Sequence, residues 1–287
     1  MKSTNCLSLL LVIALEVAGC APAGSTTIPT QVETPVSSPT LFPPTSTSTV
    51  TPSATVTPTL PPTLGPEQAK ETIRTLLQEP VDCEAPCFWG IMPGQTTLDE
   101  ATNIFVHLGL SLKFTATLDG KDFYAANYNL HDGIEVSPVI AIQNNSVKSL
   151  DVGINDTSEV GDPRKWTAYS PETLIQRYGS PSRVEFSLGR VDNPSHTMIL
   201  YFESVHMIIL YIGRAEYFLN NKNTLKLCPL INKVDFIQFW MGDDPQYPPP
   251  VDVPLEKATS LTIEDFSKLM IGEPAKACFN LKEEAFP

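Results

Sequence analysis

The chain has 287 residues, 42% of them hydrophobic and 18% charged, and 32 acidic side chains against 19 basic ones give a formal charge of −13. That balance argues against nucleic acid and anionic lipid headgroups as partners, because phosphate-rich surfaces are repelled. No later motif speaks of an activity as sharply as the first twenty residues speak of an address.

Lys2 precedes a short apolar run, Leu7 to Leu15, which is far below the roughly 20 residues of a membrane-spanning helix and reads as a cleaved signal over residues 1–19. Val17-Ala18-Gly19-Cys20 resembles the lipobox of bacterial lipoproteins. The resemblance implies that Cys20 becomes the diacylated first residue of the mature chain and that the protein is held extracytoplasmically by lipid. Ala21, in place of Asp after that cysteine, points to the outer membrane in a two-membrane host, and a one-membrane host would display the protein on its cell membrane.

Residues 20–66 form the next unit. From residue 21 they are mostly Thr, Pro and Ser, with Glu33 as the sole charge. Such a segment has nothing to bury and holds near polyproline II, a disordered but semi-stiff stalk of at most roughly 140 Å at about 3.1 Å per residue. Residues 67–287 have globular composition, readable as lobes 67–157 and 158–287. One positive and two negative residues (Lys2, Glu16 and Glu33) precede this domain, so it carries −12 of the formal charge.

Within the domain, Glu67 to Gln78 sets Ala69, Ile73, Leu76 and Leu77 at helical spacing, and Pro80 ends the run. Three further helices begin with a cap and close on glycine. Thr97 and Glu100 form a capping box before the stripe Leu98, Ala101, Phe105 and Leu108, with Gly109 as the stop. Ser170 caps a helix carrying Pro171 in its first turn, Leu174, Ile175 and Tyr178 on its inner face, and Gly179 at its end. Thr262 and Asp265 repeat the box ahead of Phe266, Leu269 and Met270, and Gly272 closes it. Strands are expected at Leu112–Leu118, Asp122–Leu130, Val136–Ile142, Val147–Ile154, Arg183–Leu188, Thr197–Glu203, Val205–Ile212 and Phe236–Met241. Asp119-Gly120 and Asn144-Asn145 supply hairpin turns. The class is therefore α+β, helices packed on antiparallel sheet, with two degenerate helix-plus-strands repeats.

Cys83, Cys87, Cys228 and Cys278 remain in the mature domain, an even set suited to an oxidising compartment. Three pairings are open, and Cys83 with Cys87 and Cys228 with Cys278 is preferred. The isolated positions of the last two do not suit a four-cysteine metal site, and no metal or other cofactor is expected. His107, His131, His196 and His206 make no His-Glu-x-x-His pair, and the chain has no Gly-x-Ser-x-Gly elbow, P-loop or Ser-x-x-Lys. No catalytic residue is assigned. Phe88 and Trp89, with Trp240 and Tyr247 near the proline-rich loop, are candidates for a partner-binding aromatic patch.

Gly90-Ile91-Met92-Pro93-Gly94-Gln95-Thr96-Thr97 before a helix ending in Leu108-Gly109, and Leu174 to Pro181 before a strand, are similar to elements of small outer-membrane assembly lipoproteins and of tandem-repeat β-lactamase inhibitor proteins. Those families fold as helices on one antiparallel sheet. With the stalk and the Cys-x-x-x-Cys-Phe-Trp-Gly-Ile-x-Pro-Gly stretch, the chain most closely resembles bacterial lipoproteins that carry no known activity. The expectation is a membrane-anchored, non-catalytic module that binds another envelope protein. Its alternative is a carboxylate-dependent hydrolase or binder of cell-wall or surface polysaccharide, using Asp243 and Asp244.

Overall fold

The computed structural model describes residues 62–79, 86–130, 132–157, 163–189, 195–214, 224–228, 234–242, 253–272 and 277–286. Helix α1 (Pro66–Gln78) turns Ala69, Ile73 and Leu77 into the core. Helix α2 (Leu98–His107) starts on a reciprocal box: Thr97 N donates to Glu100 Oε2 at 2.8 Å and Glu100 N donates to Thr97 Oγ1 at 3.3 Å. At α3 (Pro171–Tyr178) Thr173 N donates to Ser170 Oγ at 3.2 Å. A one-turn helix α4 (Leu255–Ala258) precedes α5 (Ile263–Gly272), where Asp265 N donates to Thr262 Oγ1 at 3.1 Å. Each cap satisfies backbone N–H groups that the first helical turn leaves without partners.

The strands run β1 (Lys113–Leu118), β2 (Lys121–Ala125), β3 (Tyr128–Asn129), β4 (Ile134–Gln143), β5 (Ser146–Asp156), β6 (Arg183–Leu188), β7 (Ser195–Phe202), β8 (Met207–Arg214), β9 (Thr224–Leu227), β10 (Val234–Gly242), β11 (Val253–Pro254) and β12 (Phe279–Lys282). Ten of them form one sheet of order β1-β2-β4-β5-β10-β8-β7-β6-β11, with β3 paired to β4, and every pairing is antiparallel. The α+β class is realised as helices on antiparallel sheet. Asp119-Gly120 and Asn144-Asn145 do turn hairpins, with φ of 51° and 72° in the first and 53° and 60° in the second, the left-handed geometry that matches strand twist.

Each of α2 and α3 is followed by an antiparallel run, β2-β4-β5 and β6-β7-β8, and the last strand of each run lies against β10. Residues 67–157 and 158–287 thus share one sheet and one main core. Ile140, Val152, Phe239, Ile209 and Leu200 carry that core across five strands on the helix side. Ile199, Tyr201, Leu210 and Trp240 form a smaller cluster on the other side, as alternation along each strand requires.

Two expected strands are altered. Asp122–Leu130 divides into β2 and β3, and between them Ala126 N still donates to Pro138 O of β4 at 3.0 Å. Val205–Ile212 begins late: Glu203–Val205 is a 3-10 turn, His206 is left-handed at φ 48°, and β8 starts at Met207. His206 therefore belongs to a turn and not to an apolar strand.

Cys228 and Cys278 are bonded, beside the β9–β12 pair Leu227↔Phe279. Cys87 is disulfide-bonded as well, and its expected partner Cys83 lies outside the described residues, as does Cys20. Because the first bridge spans 50 residues, the Cys228→Ala/Cys278→Ala variant is expected to lose about 4 kcal/mol in the chain-entropy account. Urea unfolding of the two proteins checks this; equal midpoints would show that the bridge constrains nothing.

Candidate functional site

A hollow of about 750 Å³ lies where the β1 edge of the sheet meets the start of α1. Three local events open it. Helix α2 stops at Leu108, and Gly109, at φ 74°, takes a conformation that costs other residues strain while carrying the chain away toward Ser111 and Lys113. The break between β2 and β3 leaves Asn127 and Tyr128 diverging from β1, and Pro66, Glu67 and Lys70 of α1 complete the wall. The floor is made of small or buried apolar side chains, among them Leu110, Ala125, Ala126 and Val139.

Polar groups converge on that floor. Asn127 Nδ2 donates to Glu135 Oε1 and, at 3.4 Å, to Ser137 Oγ. Lys70 Nζ lies 3.1 Å from Glu67 Oε1, and Lys113 adds a second cation to the lining. Burial raises the Tyr128 phenol above its ordinary value, an effect that Lys70 opposes, Glu67 reinforces and Arg74 opposes. Tyr128 therefore meets a ligand as a neutral phenol that both donates and accepts. Among the described residues no group of three His, Cys, Asp or Glu side chains is placed to hold a metal ion.

Further along the sheet, sharing Val139 with the groove, a hollow of about 70 Å³ is lined by Phe123, Val139, Ala141, Ser149, Asp151 and Trp240, besides Leu150. Asp151, on β5, is paired across the ladder with Trp240 on β10, and Gln238 Nε2 donates to its two oxygens at 2.9 and 3.2 Å. Burial raises the Asp151 carboxyl above the usual carboxylate range, and hydrogen bonds from Gln238 and Trp240 oppose the rise. Two strands further on, Tyr201 Oη donates to Glu185 Oε2 at 2.7 Å, while the Arg183 guanidinium lies 3.7 Å over the Tyr201 ring and 3.2 Å from Glu185 Oε1.

The aromatic candidates separate. Phe88 and Trp89 are 0% and 5% exposed and stack at 4.3 Å, and Phe88 lies 5.2 Å from Phe239, so both are core residues and present no surface for a partner. The turn Trp89-Gly90, at φ 52° and 88°, folds Phe88 back onto Ile91 and drives both rings inward. Trp240 is 5% exposed and joins the cluster on the other face. Tyr247, Asp243, Asp244 and His131 lie outside the described residues. His196 is buried on β7, and His107 Nδ1 is 2.7 Å from Pro62 O, tying the entry of the domain to the end of α2.

Sequence reading did not find the groove or Asp151. Asp151 and Gln238 are 87 positions apart, and only the placement of β10 beside β5 joins them. The break that opens the groove left one local trace, the polar run Asn127-Tyr128-Asn129 inside an expected strand. Compared with protein-family models, curated proteins and solved structures, the chain matches none.

A raised carboxyl favours the neutral acid in the fold, so Asp151 costs stability as pH rises from the ordinary aspartate range through its raised folded value, and the cost is absent below that range. Asp151→Asn is therefore expected to unfold at a higher urea midpoint than the parent at neutral pH, with the gain vanishing in acid. Midpoints measured across pH check the sign; an advantage that grows in acid would contradict it.

Proposed function

We propose that the chain is a lipid-anchored extracytoplasmic binding module, held to the cell membrane or outer membrane through Cys20 and engaging its partner through the globular domain. The observation that carries the binding reading is the groove, in which uncharged polar groups converge on a small apolar floor. Concave sites of roughly 300–1,000 Å³ with a few placed polar groups are the ordinary form of a recognition site. Two features support the address. The signal-like residues 1–19 lead to Cys20, and the Cys228–Cys278 bridge is a bond that persists in oxidising compartments and is rare in reducing ones. Among the described residues no helix is long and apolar enough to cross a membrane.

The partner in this reading is a component of the envelope, another envelope protein first among them. Chemical crosslinking of the full chain on intact cells, followed by mass spectrometry of covalent products, tests it. A recurrent stoichiometric envelope component is expected with the parent, together with fatty-acid labelling that Cys20→Ala abolishes as it moves to the aqueous phase. Labelling and membrane retention unchanged in Cys20→Ala would overturn the anchor, and the absence of any saturable envelope component would overturn the binding reading.

A further inference from the structure

The groove's lining narrows its ligand by chemistry. Its walls offer amide and hydroxyl groups, Asn127, Asn129, Tyr128, Ser111 and Thr115 among them, and such groups serve as donors and acceptors at once. A ligand that matches them carries many groups of the same dual kind. The fixed charge of the walls is the Lys70–Glu67 pair at 3.1 Å and one further cation, Lys113, at the β1 rim. Beyond the groove, the chain's formal charge of −13 opposes the approach of polyanions.

The floor adds a second requirement. Leu110, Ala125, Ala126 and Val139 form a shallow apolar surface without a bulky side chain, suited to a methyl group or the C–H face of a ring. Beside it Tyr128 is partly buried and is fixed in the ladder against Val136, so its ring is a preorganised platform with a polar tip. An extended peptide would gain affinity mainly by main-chain pairing along a strand edge. At the groove the outer strands are β3, two residues long, and β1, six residues long, so a peptide is the rival occupant that the titration must separate from a sugar. Dual-character walls, a small apolar floor and one aromatic side chain with a polar tip are the features that fit a sugar, and they do not call for an ion or an acidic polymer.

We infer that the groove between α1, β1 and β3 binds a neutral N-acetylhexosamine segment of a glycan, its acetamido methyl on the alanine floor and its ring against Tyr128. This rests on the reading of the chain as a binding module and names the ligand class of that site.

Calorimetric titration of the full chain in detergent, with chitotetraose, cellotetraose and tetra-alanine as probes, tests the inference. Chitotetraose is expected to bind at least about tenfold more tightly than cellotetraose, which lacks the acetamido group, and tetra-alanine is expected to give no saturable heat. Ser111→Trp, an exposed position on the groove wall, is expected to weaken chitotetraose binding by about tenfold or more at an unchanged unfolding midpoint, and Lys113→Trp serves as a second obstruction should the first disturb folding. No chitotetraose binding at millimolar concentration, equal binding of cellotetraose, preference for tetra-alanine, or binding unaffected by both tryptophan variants would overturn it. A crosslinked envelope protein found together with no sugar binding would overturn this inference alone and leave the binding-module reading standing.

Discussion

The insertion of β10 between β5 and β8 is the constraint on which the rest of the domain depends. Its ladders run from Phe236↔Asn155 to Gly242↔Ser149 on one side and from Val234↔Gly213 to Met241↔Met207 on the other. Without it each flanking meander would end in an open edge, a row of unpaired N–H and C=O groups. Ile237, Phe239 and Met241 on one face and Trp240 on the other let this strand bury side chains in both apolar clusters. Close fit confirms the placement: a Cβ on Gly242 would lie 2.2 Å from Lys148 O, so only glycine permits the approach at the end of the ladder.

That arrangement explains why the two polar assemblies of the outer sheet face exist. Gln238 reaches Asp151 only because β10 and β5 are neighbours, and Trp240 closes over the same carboxyl. The Arg183, Tyr201 and Glu185 assembly is built by the shorter-range β6–β7 hairpin and holds a buried carboxylate between a phenol and a guanidinium. Burying a carboxylate is costly unless such groups satisfy it. At Asp151 the donors are neutral and compensate less fully.

What could be read from the chain follows the range of the interactions. Thr97 with Glu100, Ser170 and Thr262 with Asp265 carry their helix starts within four residues, and Asp119-Gly120 and Asn144-Asn145 carry their turns within two, so these were legible. The apolar run also marked Phe236 to Met241 as a strand. It said nothing of which strands flank it, because pairing is decided by which edges remain available after the meanders have folded. The same limit hid the groove, which is a gap between three elements. Phe88 and Trp89 could be read as exposed beside a turn, yet the left-handed turn at Trp89-Gly90 aims them inward, and no composition reveals that.

One link near the start of the described chain has a mechanical meaning. His107 Nδ1 meets Pro62 O at 2.7 Å, and Leu64 N donates to His107 O at 2.9 Å, so the backbone is clamped twice to the end of α2 before α1 begins. Tension arriving along the chain from its N-terminal side is borne first by this clamp and by the packed face of α1. It reaches no strand edge until those have given way. The sheet is loaded through its helical layer, where resistance is shared among many side-chain contacts, and is spared the sequential rupture of ladder hydrogen bonds that a pull on a terminal strand would cause.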